Sequence, residues 1–347
     1  DWSSDVCSSD LIKKIGLSAL AGSLAVTSAF AVELSVSGKT EVTYVSKNKS
    51  VAGNPFGMGN SITFSGSGDV NGMTATYTAA IGDGGQANSN TSETFASSSL
   101  MLDMGDMGTI GFDQGVGEFG VSTIDDKTPY AYEEQWTYVG SSNGLRAAGG
   151  TNVIGYKNTY AGYQVSLEID PGHTNNSSVG GTGDGGATGE GTDDSGWNVA
   201  ITGSPYDGVS AGLGYGVESH DNDNAANDAD SQFVTGYVNY AVGAATVGVQ
   251  RSSGTGGSAA TSSNEVLIYG ISYSINENLA VSYSEMENEY GMGTSKATSG
   301  NVRTKEVTED TKGLGISYTM GAASVRVLAS EADNAGGTES NDKEHME

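Results

Sequence analysis

Apolar side chains recur at every second position through most of this chain, and the segments carrying that pattern are joined by connections that are alternately short and long. Leu34, Val36, Thr40, Val42 and Tyr44 share one parity, and Ser35, Ser37, Lys39, Glu41 and Thr43 share the other. A period of two belongs to a β-strand with one apolar and one polar face. Ile62, Phe64 and Val70 continue it, Asn71-Gly72 supplies a tight turn, and Met73, Ala75, Tyr77, Ala79 and Ile81 run back. Asn-Gly between two alternating runs is a strong hairpin signal.

Fifteen such strands are predicted, near 34–45, 60–70, 73–81, 92–104, 108–113, 151–158, 162–170, 196–204, 208–217, 231–240, 244–251, 265–274, 278–286, 312–319 and 323–330. Short turns fall near 71–72, 105–108, 158–162, 204–208, 241–244, 275–278 and 320–322. Long polar connections fall at about 46–59, 82–92, 114–150, 171–195, 218–231, 252–264 and 287–311. Strict alternation puts every tight turn at one end of the sheet and every long connection at the other. A soluble β-sandwich does not require that segregation, whereas short periplasmic turns, long external loops and half-apolar strands describe an outer-membrane barrel. Tyr156, Tyr160, Tyr163, Tyr206, Tyr240, Tyr273 and Tyr318 cluster beside the tight turns, where an interfacial aromatic girdle belongs. The expected fold class is all-β, a transmembrane antiparallel β-barrel whose apolar parity faces lipid.

Composition agrees. Of 347 residues 53 are Gly and only 4 Pro, and 36% are hydrophobic, too few for a large soluble core. Tyrosine at 17, with abundant Val, Thr and Ser, favours strands over disorder. With 42 acids against 15 bases the formal charge is −27, which argues against nucleic acid as a partner because phosphate needs clustered Lys and Arg.

The N-terminus reads as a targeting segment. Lys13 and Lys14 form a positive region, Ile15 to Thr27 an apolar stretch, and Ala29-Phe30-Ala31 a cleavage signal, so residues 12–31 are expected to be a signal peptide. Residues 1–11, with two Ser-Ser-Asp repeats, are expected to be a non-native scar, which leaves Cys7 without a role. Residues 32–347 then form a single barrel domain. Single-chain bacterial barrels have even strand counts, so fifteen strands followed by the acidic run Glu331–Glu347 lead to the expectation that the C-terminal strand of sixteen is missing.

These features resemble a general bacterial outer-membrane porin of the sixteen-stranded, trimeric kind. The likeness is carried across residues 13–330 by the signal segment, the opening V-E-L-S-V-S-G-K-T strand, G-T-I-G-F-D-Q-G before the longest connection, and the hairpin N-V-I-G-Y-K-N-T-Y-A-G-Y-Q-V-S-L. One departure is the C-terminus, Met346-Glu347, where porins of this type end on a strand with a terminal Phe. The resemblance implies a homotrimer in outer-membrane lipid and lipopolysaccharide, and a water-filled channel for passive diffusion of ions and small hydrophilic solutes. It also implies that the third long connection, 114–150, folds inward as a constriction.

That connection carries Glu118, Asp125, Asp126, Glu133 and Glu134, the candidates for the acidic side of the constriction. By parity Lys39, Lys157 and Arg326 point inward and are the candidate basic residues of the pore wall. A transverse field between the two sets would orient dipolar solutes. The excess of acids in the external loops predicts a weak cation preference, which a few inward bases at the narrowest point could override.

Other motifs carry little. His173, His220 and His345 lack ligand spacing, and no metal site or cofactor is expected. Gly180 to Asp194 lacks the nonapeptide period of calcium repeats, and Asp221-Asn222-Asp223 lacks the fixed Gly and final Glu of an EF-hand. Weak Ca²⁺ binding by the acidic external loops stays open. No hydrolase, metalloprotease, P-loop or dinucleotide signature is present, so an enzyme is not expected. Two alternatives remain at this point: a secreted or surface-attached acidic adhesin without a conducting pore, and a substrate-specific channel of the same architecture.

Overall fold

The computed structural model describes residues 33–48, 54–82, 94–125, 127–140, 151–173, 194–219, 230–255, 263–292 and 304–347. The expected scar, the signal segment, His220 and the acidic run around Asp221 lie outside the described residues, as does Asp126. The strands in chain order are β1 (Glu33–Tyr44), β2 (Ser46–Lys47), β3 (Phe56–Val70), β4 (Met73–Gly82), β5 (Thr94–Asp103), β6 (Thr109–Gln114), β7 (Thr151–Tyr160), β8 (Tyr163–His173) and β9 (Asp194–Gly203). They continue as β10 (Val209–Ser219), β11 (Ser231–Val242), β12 (Ala245–Thr255), β13 (Ser263–Ser274), β14 (Leu279–Tyr290), β15 (Val307–Met320), β16 (Ala323–Asp333) and β17 (Lys343–Met346).

All belong to one 17-stranded antiparallel sheet. β1 pairs with β3, each strand from β3 to β16 pairs with the next, and β17 pairs with both β16 and β2, so the sheet curls into a nearly closed barrel. Each of the fifteen strands read from the sequence is present. The strand count is corrected in two places. The first strand continues past Val45 as the two-residue β2, and the run after the fifteenth strand turns back as β17. That return is built by a turn in which Asn334 takes a left-handed φ of 54° and its N–H donates to Asp342 Oδ1 at 3.2 Å. Alternation of apolar residues could not announce β17, because Lys-Glu-His-Met has no apolar parity.

The tight turns lie at one end of the barrel. At Asn71-Gly72 both residues have positive φ, 55° and 82°, and Asp69 Oδ2 accepts the Gly72 N–H at 3.1 Å. This mirror-image turn matches the right-handed strand twist. Tyr160, Tyr163, Tyr206, Tyr240, Tyr273 and Tyr318 are all exposed at this end. Parity separates the two faces: Leu213, Val234, Val249, Ile271 and Leu314 are exposed on the outside, whereas Asn198, Thr235, Gln250, Ser282 and Thr311 are buried on the inside. An apolar exterior around a polar interior is the reverse of a soluble barrel. Among the described residues, clusters of buried apolar side chains form where the connection after β6 meets the inner wall. Val121 and Ile124 cluster there with Ala200, Phe233 and Tyr237, and Trp136 clusters with Val266, Ile268 and Met286.

Candidate functional site: the segment inside the barrel

Asp113, buried near the end of β6, turns the chain into the lumen. Its Oδ1 accepts the Val116 N–H at 2.7 Å and its Oδ2 accepts the Glu118 N–H at 2.6 Å. A carboxylate taking two backbone N–H groups forms charge-assisted bonds, so the turn is held firmly. The chain then runs around the inner wall, fastened by side chains of successive strands. Ser166 Oγ on β8 accepts the Gly120 N–H at 2.8 Å, and Asn198 Oδ1 on β9 accepts the Val121 N–H at 2.8 Å. The Gln250 amide on β12 brackets the segment twice, donating to Ile124 O and accepting from the Lys127 N–H, both at 3.2 Å. Asn239 donates to Lys127 O, Ser282 Oγ accepts the Ala131 N–H at 2.8 Å, and Ser284 Oγ donates to Gln135 Oε1 at 2.7 Å. The far end packs Val139 against Ala332 and Ala335 and stacks Tyr138 on His345 of β17, ring centroids 4.4 Å apart.

The wall is shaped for this segment by inward-facing glycines. A Cβ on Gly155 would lie 1.9 Å from Phe119 Cγ, and one on Gly214 would lie 2.6 Å from Val121 Cγ1. On Gly248 it would meet Pro129 Cδ at 2.5 Å, and on Gly313 Gln135 Cβ at 2.6 Å. These positions on β7, β10, β12 and β15 form a groove that any larger residue would fill. Phe119 is fully buried in it, which contributes about 1.5–3 kcal/mol to seating the segment.

The candidate charged residues fall into two groups. Glu118 and Lys157 touch, Nζ to Oε2 2.7 Å, and the same ammonium lies 5.3 Å over the Phe119 ring. They form a partly buried pair on one side of the lumen rather than facing each other across it. The second group gathers where the segment approaches β1 and β16. Arg326 lies over the Tyr132 ring at 5.4 Å, and Lys39 pairs with Glu41 at 3.3 Å while its charge also acts on Glu133. Asp125 caps the short turn Gly120–Ile124, its N–H donating to Ser122 O. Glu134 accepts a hydrogen bond from Thr137 Oγ1 at 3.3 Å. Burial, the neighbouring Glu134 charge and a hydrogen bond from that carboxyl push Glu133 up to about 7, against which Lys39 acts. Burial and the Glu347 charge likewise push Tyr138 up to about 12.

A pH effect follows. Glu133 carries its proton below about 7 and loses it above. Because its folded value is raised, the stability this group contributes is full below its ordinary carboxylate range and is lost as pH rises through about 7. Any cation preference of the bore should therefore strengthen between pH 6 and 8, read as a reversal potential under a KCl gradient, and Glu133→Gln should flatten that change.

Asp113, Ser166, Asn198, Gln250, Ser282 and the groove glycines were not among the residues singled out from the sequence. Their one signal is parity: Ser166, Asn198 and Ser282 each lie between outward apolar neighbours, as Asn198 does between Trp197 and Val199. Among the described residues no group of three or more His, Cys, Asp and Glu is placed to hold a metal ion.

Comparison of the sequence with protein-family models and with curated proteins finds no match. The three-dimensional structure matches solved porins over nearly their whole length. The anion-selective porin from Comamonas acidovorans superimposes with a TM-score of 0.57 at 16% identity, covering 90% of this chain and 98% of that one. OmpF of Salmonella typhi, solved with daunomycin, gives 0.61 at 12% identity, covering 91% and 96%. A loop-deletion form of OmpT, an outer membrane protein of Vibrio cholerae, gives 0.62 at 12% identity, covering 92% and 98%. The fold is that of the porins.

Proposed function

We propose that this barrel of porin fold is a water-filled channel of a bacterial outer membrane, through which ions and small hydrophilic solutes diffuse passively. The observation that carries this reading is the segment comprising residues 115–125 and 127–140, seated in a glycine-lined groove inside a barrel that is apolar outside and polar within. A polar inner wall keeps the lumen wet, and a segment fixed along it sets the bore. The segment is the constriction, with Glu133 and Glu134 on its acidic side and Lys39 and Arg326 on the wall they approach. Glu118 and Lys157 neutralise one another and act on the bore chiefly by holding the start of the segment. Acids outnumber bases 42 to 15 in the chain, which favours cations at the mouth and a weak cation preference overall. The channel is exported by the segment 12–31, works as a homotrimer, and is surrounded by outer-membrane lipid and lipopolysaccharide.

The test is single-channel recording of the refolded chain in a planar bilayer under a KCl gradient. Discrete steps that close in threes, with a reversal potential of cationic sign, are expected. A silent bilayer from protein shown to be folded and inserted would sink the channel reading.

A further inference from the structure

The outward positions of β10 to β13 carry two charged residues, Arg251 on β12 and Glu265 on β13. They pair with each other, Arg251 Nη2 to Glu265 Oε2 2.5 Å, and both side chains are exposed. The pair sits where the wall changes character. Towards the tight turns the same two strands present Val247, Val249, Leu267 and Tyr269 outward, and towards the long connections they present Ser253, Thr255 and Ser263. A guanidinium is a planar fork of N–H donors, and among the described residues Glu265 is the one hydrogen-bond partner of the Arg251 side chain. Directly beside Arg251 in the ladder stands Gly236 of β11, an outward position without a side chain. It opens a notch of about 510 Å³ between Leu213, Val234, Val238 and Val249, with Arg251 and Glu265 at its edge. A Cβ on Gly236 would meet Leu213 Cδ2 at 2.7 Å and Gly212 O at 3.3 Å, so the contact that limits the space is the movable end of one side chain.

We propose that this notch binds one phospholipid with a phosphoethanolamine headgroup, an acyl chain lying in the notch, its phosphate on Arg251 and its ammonium on Glu265. The proposal rests on reading the apolar face of the barrel as lipid-facing. Charge complementarity selects the headgroup. The pair has no net charge, so a purely anionic or purely cationic headgroup meets one member and repels the other, whereas a phosphate followed by an amine meets both. The guanidinium fork matches phosphate oxygens, through donors that Glu265 leaves unused. A primary ammonium has N–H groups to donate to the Glu265 carboxylate, which a quaternary ammonium lacks. The chain has its own reason to lie here: Leu213, Val234, Val238 and Val249 bury methylene groups along the notch. Height agrees as well, because the pair stands at the border of apolar and polar outward residues, where headgroup and chain meet.

The experiment is native mass spectrometry of the full chain, refolded in detergent and titrated with phosphatidylethanolamine, phosphatidylglycerol or phosphatidylcholine of identical acyl chains. One lipid retained per chain is expected, with phosphatidylethanolamine bound about tenfold tighter than the other two, the order of one hydrogen bond to a charged group. Arg251→Gln with Glu265→Gln should bring the three lipids to the same affinity. Gly236→Leu should remove the retained lipid whatever its headgroup, whereas Ala75→Leu, at an outward position of β4, should leave it in place. The exposed pair can be replaced without touching a buried side chain, so the headgroup comparison decides even where Gly236→Leu lowers the yield of folded protein. Equal retention of the three lipids by the unaltered chain, a preference that survives the double Gln variant, or association of barrels that Gly236→Leu abolishes without lipid uptake would overturn the proposal. Binding is read without conductance, so failure here leaves the channel reading standing, and a silent bilayer leaves the lipid site standing.

Discussion

Removing residues 118–138 should raise single-channel conductance about two- to threefold, because the segment occupies lumen that the wall alone would leave to water. The wall does not need the segment in order to stay wet. Ser166, Asn198, Gln250 and Ser282 now bond to its backbone, and on deletion each would turn to solvent rather than be left buried and unsatisfied. Thermal stability should fall, since Phe119, Val121 and Ile124 are fully buried and each contributes about 1.5–3 kcal/mol. The strand ladder is unaffected, so the far-ultraviolet circular dichroism spectrum should remain that of a β-protein. Unchanged conductance in a folded, inserted deletion variant would show that the segment does not set the bore.

Charge reversal of the paired acids, Glu133→Lys with Glu134→Lys, should invert ion selectivity from cationic to anionic. These carboxyls lie on the part of the segment that approaches Lys39 and Arg326, and reversal would leave both bases without an opposing loop charge. The neutral pair Glu133→Gln with Glu134→Gln should give an intermediate reversal potential. Reversing Glu118 instead should act differently: it breaks a 2.7 Å contact with Lys157, so seating of the segment and open-channel noise should change more than the sign of selectivity. A reversal potential indifferent to the Glu133 and Glu134 changes would move control of selectivity to another part of the lumen.

Strand positions and the end at which each connection lies were legible because alternation is a local property. The hairpin β7–β8 shows this. Ile154, Tyr156, Val165 and Leu167 declare the outer face without reference to anything distant, and the pairing Tyr156↔Leu167 follows from the turn between them. The closing strand was not legible, because Lys343–Met346 carries no alternation and is held as a strand only by β16 and β2 on either side. The inward parity of Lys157 was legible too, but its partner was not, since nothing local says that a residue 39 positions earlier will bend back to touch it.

The path of the segment after β6 was decided by tertiary structure alone. Its fasteners lie 46, 77 and 123 residues further along the chain, at Ser166, Asn198 and Gln250. The groove that receives it exists only once Gly155, Gly214, Gly248 and Gly313 have been brought into one wall. Each of those glycines reads in sequence as an ordinary small residue on a polar face. By itself the sequence determined that this chain makes half-apolar antiparallel strands with all tight turns at one end, because a two-residue period is enforced by backbone geometry within each strand. Where the inner segment lies and which charges meet were decided by the closing of the sheet, because only curvature brings distant strands to face one another.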